Sequence, residues 1–291
     1  MSCACGTPLL LRQPALVLWQ LIVQPSSNRN TKLTYCGLLY TPLLHSTDKG
    51  HGANGTFDHS KPAMQQMFVE DCINTVAKGQ FSGCFIDRAN FASKVLAEPD
   101  NPVWKRGGWD VETAKRAVEG CHATLDNLTA TLPKAIILAK EADTDPNSLD
   151  SEHANAAMPT DTFCSRYHSQ SDYNATECLN DILAVQMYAA RGQLTESHGV
   201  GPLNDTTQRE FTLACFLVAM GPLSYFSFAS EDSAWSIDGT AWWPEYDKPL
   251  GAALGLAQRD GMTFKRTFES GTHVTVDVET HNATIEWATQ S

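Results

Sequence analysis

Apolar residues recur at helical spacing along residues 62–78 and give that stretch one buried face. They are Met64, Met67, Phe68, Cys72, Val76 and Ala77. Gly79 ends this helix, and a short apolar run at residues 84–86 then stops on the charged residue Asp87. The pattern therefore predicts a helix, a glycine stop, and a buried strand whose C-terminal end carries a carboxylate.

The same alternation of patterns repeats along the chain. Further helices are predicted at residues 111–132, 174–191 and 207–220. Further strands are predicted at residues 33–40, 134–141, 158–165, 193–200 and 223–229. Such a rhythm is typical of a βα-repeat fold, so we expect an α/β, TIM-barrel-like (β/α) repeat with parallel strands inside and helices outside. A full barrel takes about 250 residues, which leaves this one incomplete or irregular at its N-terminal start.

The barrel pattern divides the chain into three parts. Residues 1–32 form an N-terminal segment that reads either as a signal-like core or as a first strand. Residues 33–262 are expected to form the TIM-barrel-like catalytic domain. Residues 263–291 are expected to form terminal β-structure, with a β-hairpin around residues 270–271 and a last short strand at 283–287.

The composition of the chain indicates which kinds of molecule it can bind. The net charge of −12 argues against a nucleic acid, and a neutral or cationic ligand fits better. No apolar run reaches the roughly 20 residues of a membrane-spanning helix. The nine cysteines show no C-x-x-C spacing, so neither a zinc site nor a thioredoxin-like site is expected among them. No other metal site and no cofactor is expected. The cysteine count and five N-x-S/T sites, at Asn54, Asn127, Asn174, Asn204 and Asn282, favour a glycoprotein of the secretory pathway without fixing the location.

Carboxylates mark the predicted C-terminal ends of several strands. Asp87, Glu141 and Glu196 are the candidate catalytic residues, and Asp161 is a fourth carboxylate with a weaker strand pattern. In a barrel all such ends face one mouth, and a pair of carboxylates flanking a bond is what glycoside hydrolysis needs. Strand-end carboxylates also serve as loop caps and ion-pair partners, which is the structural alternative for each of them.

The remaining candidates would bind substrate. Indole rings stack on the apolar faces of sugars, and several aromatic residues follow the last barrel-like strand. The predicted substrate-binding residues are Arg88, Asp161, His198, Tyr225, Trp235, Trp242 and Trp243. The alternative for the last two is packing against the terminal hairpin. The chain has no G-x-S-x-G, Walker A or H-E-x-x-H motif to suggest another chemistry.

Three patches carry a resemblance to a known family. The segments F-S-G-C-F-I-D-R-A-N-F, W-W-P-E-Y-D-K-P-L-G-A-A-L-G and F-K-R-T-F-E-S-G-T-H-V-T-V-D-V resemble parts of hypothetical glycoside hydrolases with TIM-barrel folds. The resemblance extends over residues 33–287. It implies a sugar-processing barrel with Asp87 at the active mouth, and it does not identify the partner acid.

These observations predict an O-glycoside hydrolase with Asp87 as nucleophile or base and Glu141 as the acid, with Glu196 and Asp161 in reserve. Arg88 and His198 would orient the substrate. Two alternatives stay open. One is a carbohydrate-binding barrel without turnover. The other is a polysaccharide lyase, which would use His or Tyr as its base on an acidic sugar, a substrate that the negative net charge disfavours.

Overall fold

A computed structural model describes most of the chain from residue 59 onwards. It covers residues 59–79, 81–86, 110–140, 153–159, 162–165, 173–230 and 242–289. The α-helices are α1 (Pro62–Ala77), α2 (Val111–Thr131), α3 (Ala175–Ala190) and α4 (Thr206–Ala219), and a 3-10 helix spans Pro244–Asp247. The strands are β1 (Gly83–Ile86), β2 (Ile136–Lys140), β3 (Ala156–Met158), β4 (Leu194–Val200), β5 (Ser224–Ala229), β6 (Gln258–Asp260), β7 (Thr263–Thr267), β8 (His273–Asp277) and β9 (Asn282–Glu286).

Side-chain caps fix where three of the helices begin. Asp110 accepts the backbone N–H of Thr113 at the start of α2, and Asp205 accepts the N–H of Gln208 at the start of α4. Asn174 accepts the N–H groups of the two residues at positions 176 and 177 that open α3. Each cap satisfies a backbone donor that has no partner within the helix, which is worth about 1 kcal/mol.

Strands β1 to β5 form one parallel sheet in the order β1-β2-β3-β4-β5. The α/β fold with parallel strands is therefore confirmed, and four predicted strands lie where they were expected. The fifth was predicted at residues 158–165, which is wrong: β3 is Ala156–Met158, and residues 162–165 form a turn. Within the described residues β1 and β5 are the two edges of an open sheet, and the strand predicted at 33–40 lies outside them.

All four described α-helices pack on the same face of this sheet. Ile137, Ala139 and Ala157 share a core with α1, α2 and α3, and Phe226 and Phe228 share one with α3 and α4. Gly199 also lies on this face. A Cβ added to Gly199 would lie 2.6 Å from Thr212 Cγ2 of α4, so only glycine permits this approach between strand and helix.

The opposite face is buried too, although no described helix covers it. Leu138, Ala156 and Met158 form an apolar cluster there. Side chains two residues apart along a strand share a face. Towards the C-terminal ends of the strands, the side chains on this same face are polar. This polar region contains the buried residues Lys140, Glu196 and His198.

The C-terminal strands form a second, antiparallel sheet in the order β6-β7-β8-β9. The predicted hairpin is its central pair, β7 and β8, and β9 matches the predicted last strand, whereas β6 was not predicted. Its inner face packs on α4 through Phe264, Val274 and Val276. From this face Arg266 donates to the carbonyl oxygens of Leu217 and Met220, which satisfies acceptors at the end of α4.

Two disulfides join the described elements. Cys72 of α1 is bonded to Cys84 of β1, and Cys164 of the 162–165 turn is bonded to Cys178 of α3. None of the described helices is long and apolar enough to span a membrane.

Candidate active site

Glu196 and His198 form a buried pair on β4. Alternation along the strand places both side chains on the face opposite the helices, and Glu196 Oε1 lies 2.5 Å from His198 Nε2. Glu196 is 7% exposed and His198 is 4% exposed. A carboxylate and an imidazole at this distance form a hydrogen bond, and both are groups that can act as a general acid or base towards a bound group.

The backbone of β4 at this pair is held by the 162–165 turn. Strand β3 pairs with β4 at Leu194 and Thr195, and no other described strand pairs with the rest of that edge of β4. The turn takes its place: the N–H of Phe163 donates to the His198 carbonyl at 2.7 Å, and the N–H of Val200 donates to Ser165 Oγ at 3.0 Å. These bonds satisfy the edge and fix the backbone of His198.

Strand β5 adds two hydroxyl groups to the same face. Tyr225 is paired with Glu196 and Ser227 with His198 in the parallel register. Residues paired in this way point to the same side of the sheet, so Tyr225 lies beside Glu196 and Ser227 lies beside His198. Hydroxyl groups next to a carboxylate and an imidazole are suited to hydrogen bonding with a polar substrate.

Lys140 is a further polar residue of this face, and it was not predicted from the sequence. It is the last residue of β2, it is only 6% exposed, and it pairs with Met158 of β3. Continuing across the sheet, Met158 lies next to Glu196, and two strand spacings put the Cα atoms of Lys140 and Glu196 about 10 Å apart. A lysine is rarely buried unless its charge is compensated, so Lys140 marks a charged environment at these strand ends.

The sequence of the chain matches one protein family. The sequence model of hypothetical glycosyl hydrolase family 15 matches residues 46–272, well over half of the chain. The chain belongs to this family. The resemblance seen in the three sequence patches is thereby confirmed, and the family match includes β1 to β5 and all four helices.

The solved structures that resemble this family member share little sequence identity with it. The glycoside hydrolase domain of PelA from Pseudomonas aeruginosa is 11% identical, covers 67% of this chain and 70% of its own, and has a TM-score of 0.46. The debranching enzyme from Nostoc punctiforme is 13% identical, covers 84% of this chain and 58% of its own, and has a TM-score of 0.37. Similarities of this size do not define a shared site or substrate. No curated protein matches the chain.

For this family member, the structure brings together only part of the predicted site. Glu196, His198 and Tyr225 lie on one face of the parallel sheet. The other candidates at strand ends and in loops fall outside the described residues and stay predictions: Asp87, Arg88, Glu141, Asp161 and Trp235. The expected proximity of the indoles to Asp87 stays a prediction for the same reason.

The two described indoles have other neighbours. Trp242 is 43% exposed, and its Nε1–H donates to Asp247 Oδ2 at 2.8 Å. The guanidinium of Arg209, in the first turn of α4, lies 4.0 Å from the centre of the Trp243 ring. Tyr246 packs edge-on against both Trp242 and Phe226. Since Phe226 faces the helices, these contacts fix Trp242 and Trp243 around the start of α4 and do not by themselves bring them to Glu196.

One group of side chains has the composition of a metal site. Among the described residues, the sulfur atoms of Cys164, Cys178 and Cys215 all lie within 4.8 Å of one another. The first two are bonded to each other, and a disulfide sulfur is not the thiolate that binds a metal. In this state the cluster is therefore a disulfide with a neighbouring thiol.

Proposed function

We propose that this protein is a glycoside hydrolase that cleaves O-glycosidic bonds of an oligo- or polysaccharide with carboxylates at the C-terminal ends of its parallel strands. The observation that carries the proposal is the buried Glu196–His198 pair, which lies on the sheet face opposite the four described helices in a member of a glycosyl hydrolase family. A carboxyl group that can hold a proton is what departure of the sugar oxygen requires.

The proposed roles follow from charge. Asp87 directly follows Ile86, the last residue of β1, and we keep it as the nucleophile or base. Glu141 directly follows Lys140 and remains the proposed acid, and Glu196 joins it because His198 can supply a proton to its carboxylate. A lysine cation at these strand ends favours the ionised form of a neighbouring carboxylate, which a nucleophile needs.

We further propose that the parallel sheet belongs to a TIM-barrel-like domain of residues 33–262, preceded by the segment 1–32 and followed by the terminal β-structure. Among the described residues, helices cover only one face of the sheet, which supports this arrangement. A doubly wound sheet has helices on both faces, whereas a barrel has them all outside. The polar face with Glu196 would then line the barrel interior at its mouth.

A polysaccharide lyase is the second candidate, because side chains suited to that reaction lie on the same face of the sheet. Tyr225 and His198 are groups that can remove a proton, and Lys140 on the same face can neutralise the carboxylate of an acidic sugar. Such an enzyme eliminates across the ring and leaves a double bond in its product. A binding protein without turnover would leave its ligand unchanged.

Incubation of the purified chain with neutral oligosaccharides and with polymers of uronic acids distinguishes these functions. New reducing ends without ultraviolet absorption indicate hydrolysis, new ends with absorption of a conjugated double bond indicate elimination, and retention on a sugar column without any product indicates binding only.

Glu196→Gln is expected to lower hydrolysis at least about 100-fold with an unchanged fold, since it removes the proton-carrying group. Glu210→Gln, at an exposed position of α4, is the matched control. Full activity of Glu196→Gln would remove this residue from the proposed mechanism.

A further inference from the structure

A third cysteine lies against the disulfide that holds the 162–165 turn. Cys178 is bonded to Cys164, and its Sγ is also 3.8 Å from the Sγ of Cys215 in the middle of α4. All three side chains are buried in the same core. A disulfide sulfur with a thiol at van der Waals distance has two candidate partners, and bonding to the second one requires the two sulfur atoms to approach by a change of side-chain rotamer.

The two partners of Cys178 are held in different ways. Cys215 belongs to a regular helix that packs between the two sheets. Cys164 belongs to a turn and has a backbone φ of 46°, a left-handed conformation that is unfavourable for a residue with a side chain. Among the described contacts, the turn is kept in place by the disulfide and by hydrogen bonds, one of which is the buried bond from the N–H of Cys164 to Asp181 Oδ2 at 2.9 Å.

We propose that Cys164, Cys178 and Cys215 form a disulfide-exchange site in which Cys178 passes from Cys164 to Cys215 and thereby releases the 162–165 turn from α3. The sulfur of Cys215 attacks the Sγ of Cys178, the Cys164–Cys178 bond breaks, and Cys164 leaves as a thiolate. The proton lost by Cys215 is balanced by the proton that Cys164 takes up. No external oxidant or reductant is consumed, because one disulfide replaces another.

The consequence reaches the candidate active site through the hydrogen bonds of the turn. Phe163 and Ser165, on either side of Cys164, bond to the backbone of His198 and Val200. Release of Cys164 weakens the described support of that edge of β4 beyond Thr195, where the pairing with β3 ends. The exchange therefore gives the chain two states, one with the backbone of His198 fixed and one with it loosened, and this inference does not depend on whether the protein cleaves sugars.

The exchange is expected to be slow in the folded protein. Burial raises the pKa of the Cys215 thiol well above its ordinary value, and the neighbouring charge of Asp181 raises it further. The attacking species is the thiolate, so only a small fraction of molecules is reactive at neutral pH. The Cys164–Cys178 bond is therefore the resting state, in agreement with the structure.

Peptide mapping without reduction tests the alternative pairing. Arg166, Arg191 and Arg209 separate the three cysteines, so trypsin releases each on its own peptide. Cys164→Ser, purified with glutathione disulfide as oxidant, is expected to contain a Cys178–Cys215 bond. Cys215→Ser is expected to keep Cys164–Cys178, and Cys72–Cys84 serves as the internal control in both. Folded Cys164→Ser with free thiols at both 178 and 215 would overturn the proposal.

A second measurement uses the parent chain and does not need Cys164→Ser to fold. The folded parent and Cys215→Ser are incubated with N-ethylmaleimide, and labelling is mapped by peptide. Exchange makes Cys164 a free thiol, so Cys164 is expected to be labelled in the parent, and this labelling is expected to be lost in Cys215→Ser. Equal labelling in the two proteins, or none in either, would show that Cys215 does not exchange. Hydrogen exchange at the amides of Phe163 and Val200 is expected to be faster in Cys164→Ser than in the parent. Unchanged protection of these amides would show that the disulfide does not stabilise the backbone of the candidate site.

Discussion

Asp181 offers a prediction whose sign and size follow from its surroundings. Its carboxyl is buried between α3 and the 162–165 turn, and its described hydrogen bond comes from the N–H of Cys164. Burial raises the pKa of Asp181 to about 7, and the Cys164 N–H offsets only part of this rise. Asp181→Asn keeps the shape and a carbonyl oxygen that can accept the same N–H, but it can carry no charge.

The effect on stability depends on pH in a definite direction. In the unfolded chain an aspartate titrates at about 3.9, so between about pH 4 and 7 the folded protein retains a proton that the unfolded chain has lost. The free energy of unfolding of the parent therefore falls as pH rises through this window. The two pKa values differ by about 3, and one pKa unit corresponds to about 1.36 kcal/mol, which gives a loss of about 4 kcal/mol. Asp181→Asn does not suffer this loss.

Urea unfolding followed by tryptophan fluorescence, with the disulfides kept oxidised, measures the effect. At pH 8 the free energy of unfolding of Asp181→Asn is expected to exceed that of the parent by a few kcal/mol, with about 4 kcal/mol as the upper value. At pH 4 the two proteins are expected to be nearly equal. Asp260→Asn, at an exposed position of β6, is the control and should show no such dependence. A variant that is no more stable at pH 8, or equally stabilised at both pH values, would refute the burial argument.

Three further substitutions test the packing and the site. Gly199→Ala is expected to destabilise the protein by about 1–3 kcal/mol, because the new Cβ would lie 2.6 Å from Thr212 Cγ2. Thermal melting against Gly255→Ala, where an added Cβ meets nothing within 4 Å, checks this, and equal melting temperatures would contradict the packing of β4 on α4. Lys140→Met is expected to lower the rate of sugar cleavage at least about 10-fold at an unchanged melting temperature, and Lys140→Arg is expected to lower it less. Kinetics at several pH values measure this, and a turnover of Lys140→Met equal to that of the parent would show that the role of Lys140 is purely structural. Arg266→Met is expected to lower the free energy of unfolding by about 2–3 kcal/mol, since it leaves carbonyl groups at the end of α4 unsatisfied. Urea unfolding measures this, and a loss below about 0.5 kcal/mol would mean that water replaces the guanidinium.

The helices and most strands could be predicted because local signals and burial agree. In α2, the cap Asp110, the apolar spacing and Pro133 after the end all define the same segment, so the prediction of 111–132 differs from Val111–Thr131 by one residue. The central β-hairpin of the second sheet has alternating apolar residues around a Gly turn, and it was found for the same reason.

Strand β3 could not be located in this way. Its sequence, Ala-Ala-Met, has little intrinsic preference for a strand, and the more strand-like residues that follow attracted the prediction. The strand forms because it is paired on both sides and because Asn155 bridges to its neighbour. Asn155 accepts the N–H of Ile137 and donates to the carbonyl of Ala135, both at 2.8 Å. These are long-range contacts, which a local pattern does not contain.

Lys140 was missed because the site depends on where a strand ends and on which face each residue lies. The strand was predicted to end at Glu141, so the lysine before it was treated as part of the run, although alternation from Leu138 places Lys140 on the face of Glu196. Counting alternate residues back from a strand end was the signal that could have found it. The pairing of Glu196 with His198 could have been predicted from the sequence, since residues two apart on a strand share a face.

The placement of Glu196 and His198 inside β4, rather than in a loop, has a consequence for any chemistry at this site. The helix-facing side of β4 is fixed by the close approach of Gly199 to α4, one edge is paired with β5, and the other edge is bonded to the 162–165 turn. Groups held in this way keep their geometry without a bound ligand, which favours catalysis over binding by adjustment. The turn is the one support of the three that does not belong to a regular element, and a disulfide to α3 fastens it. Changes in the geometry of the pair are therefore expected to arise first at this turn, ahead of any loss of the helices or the sheet.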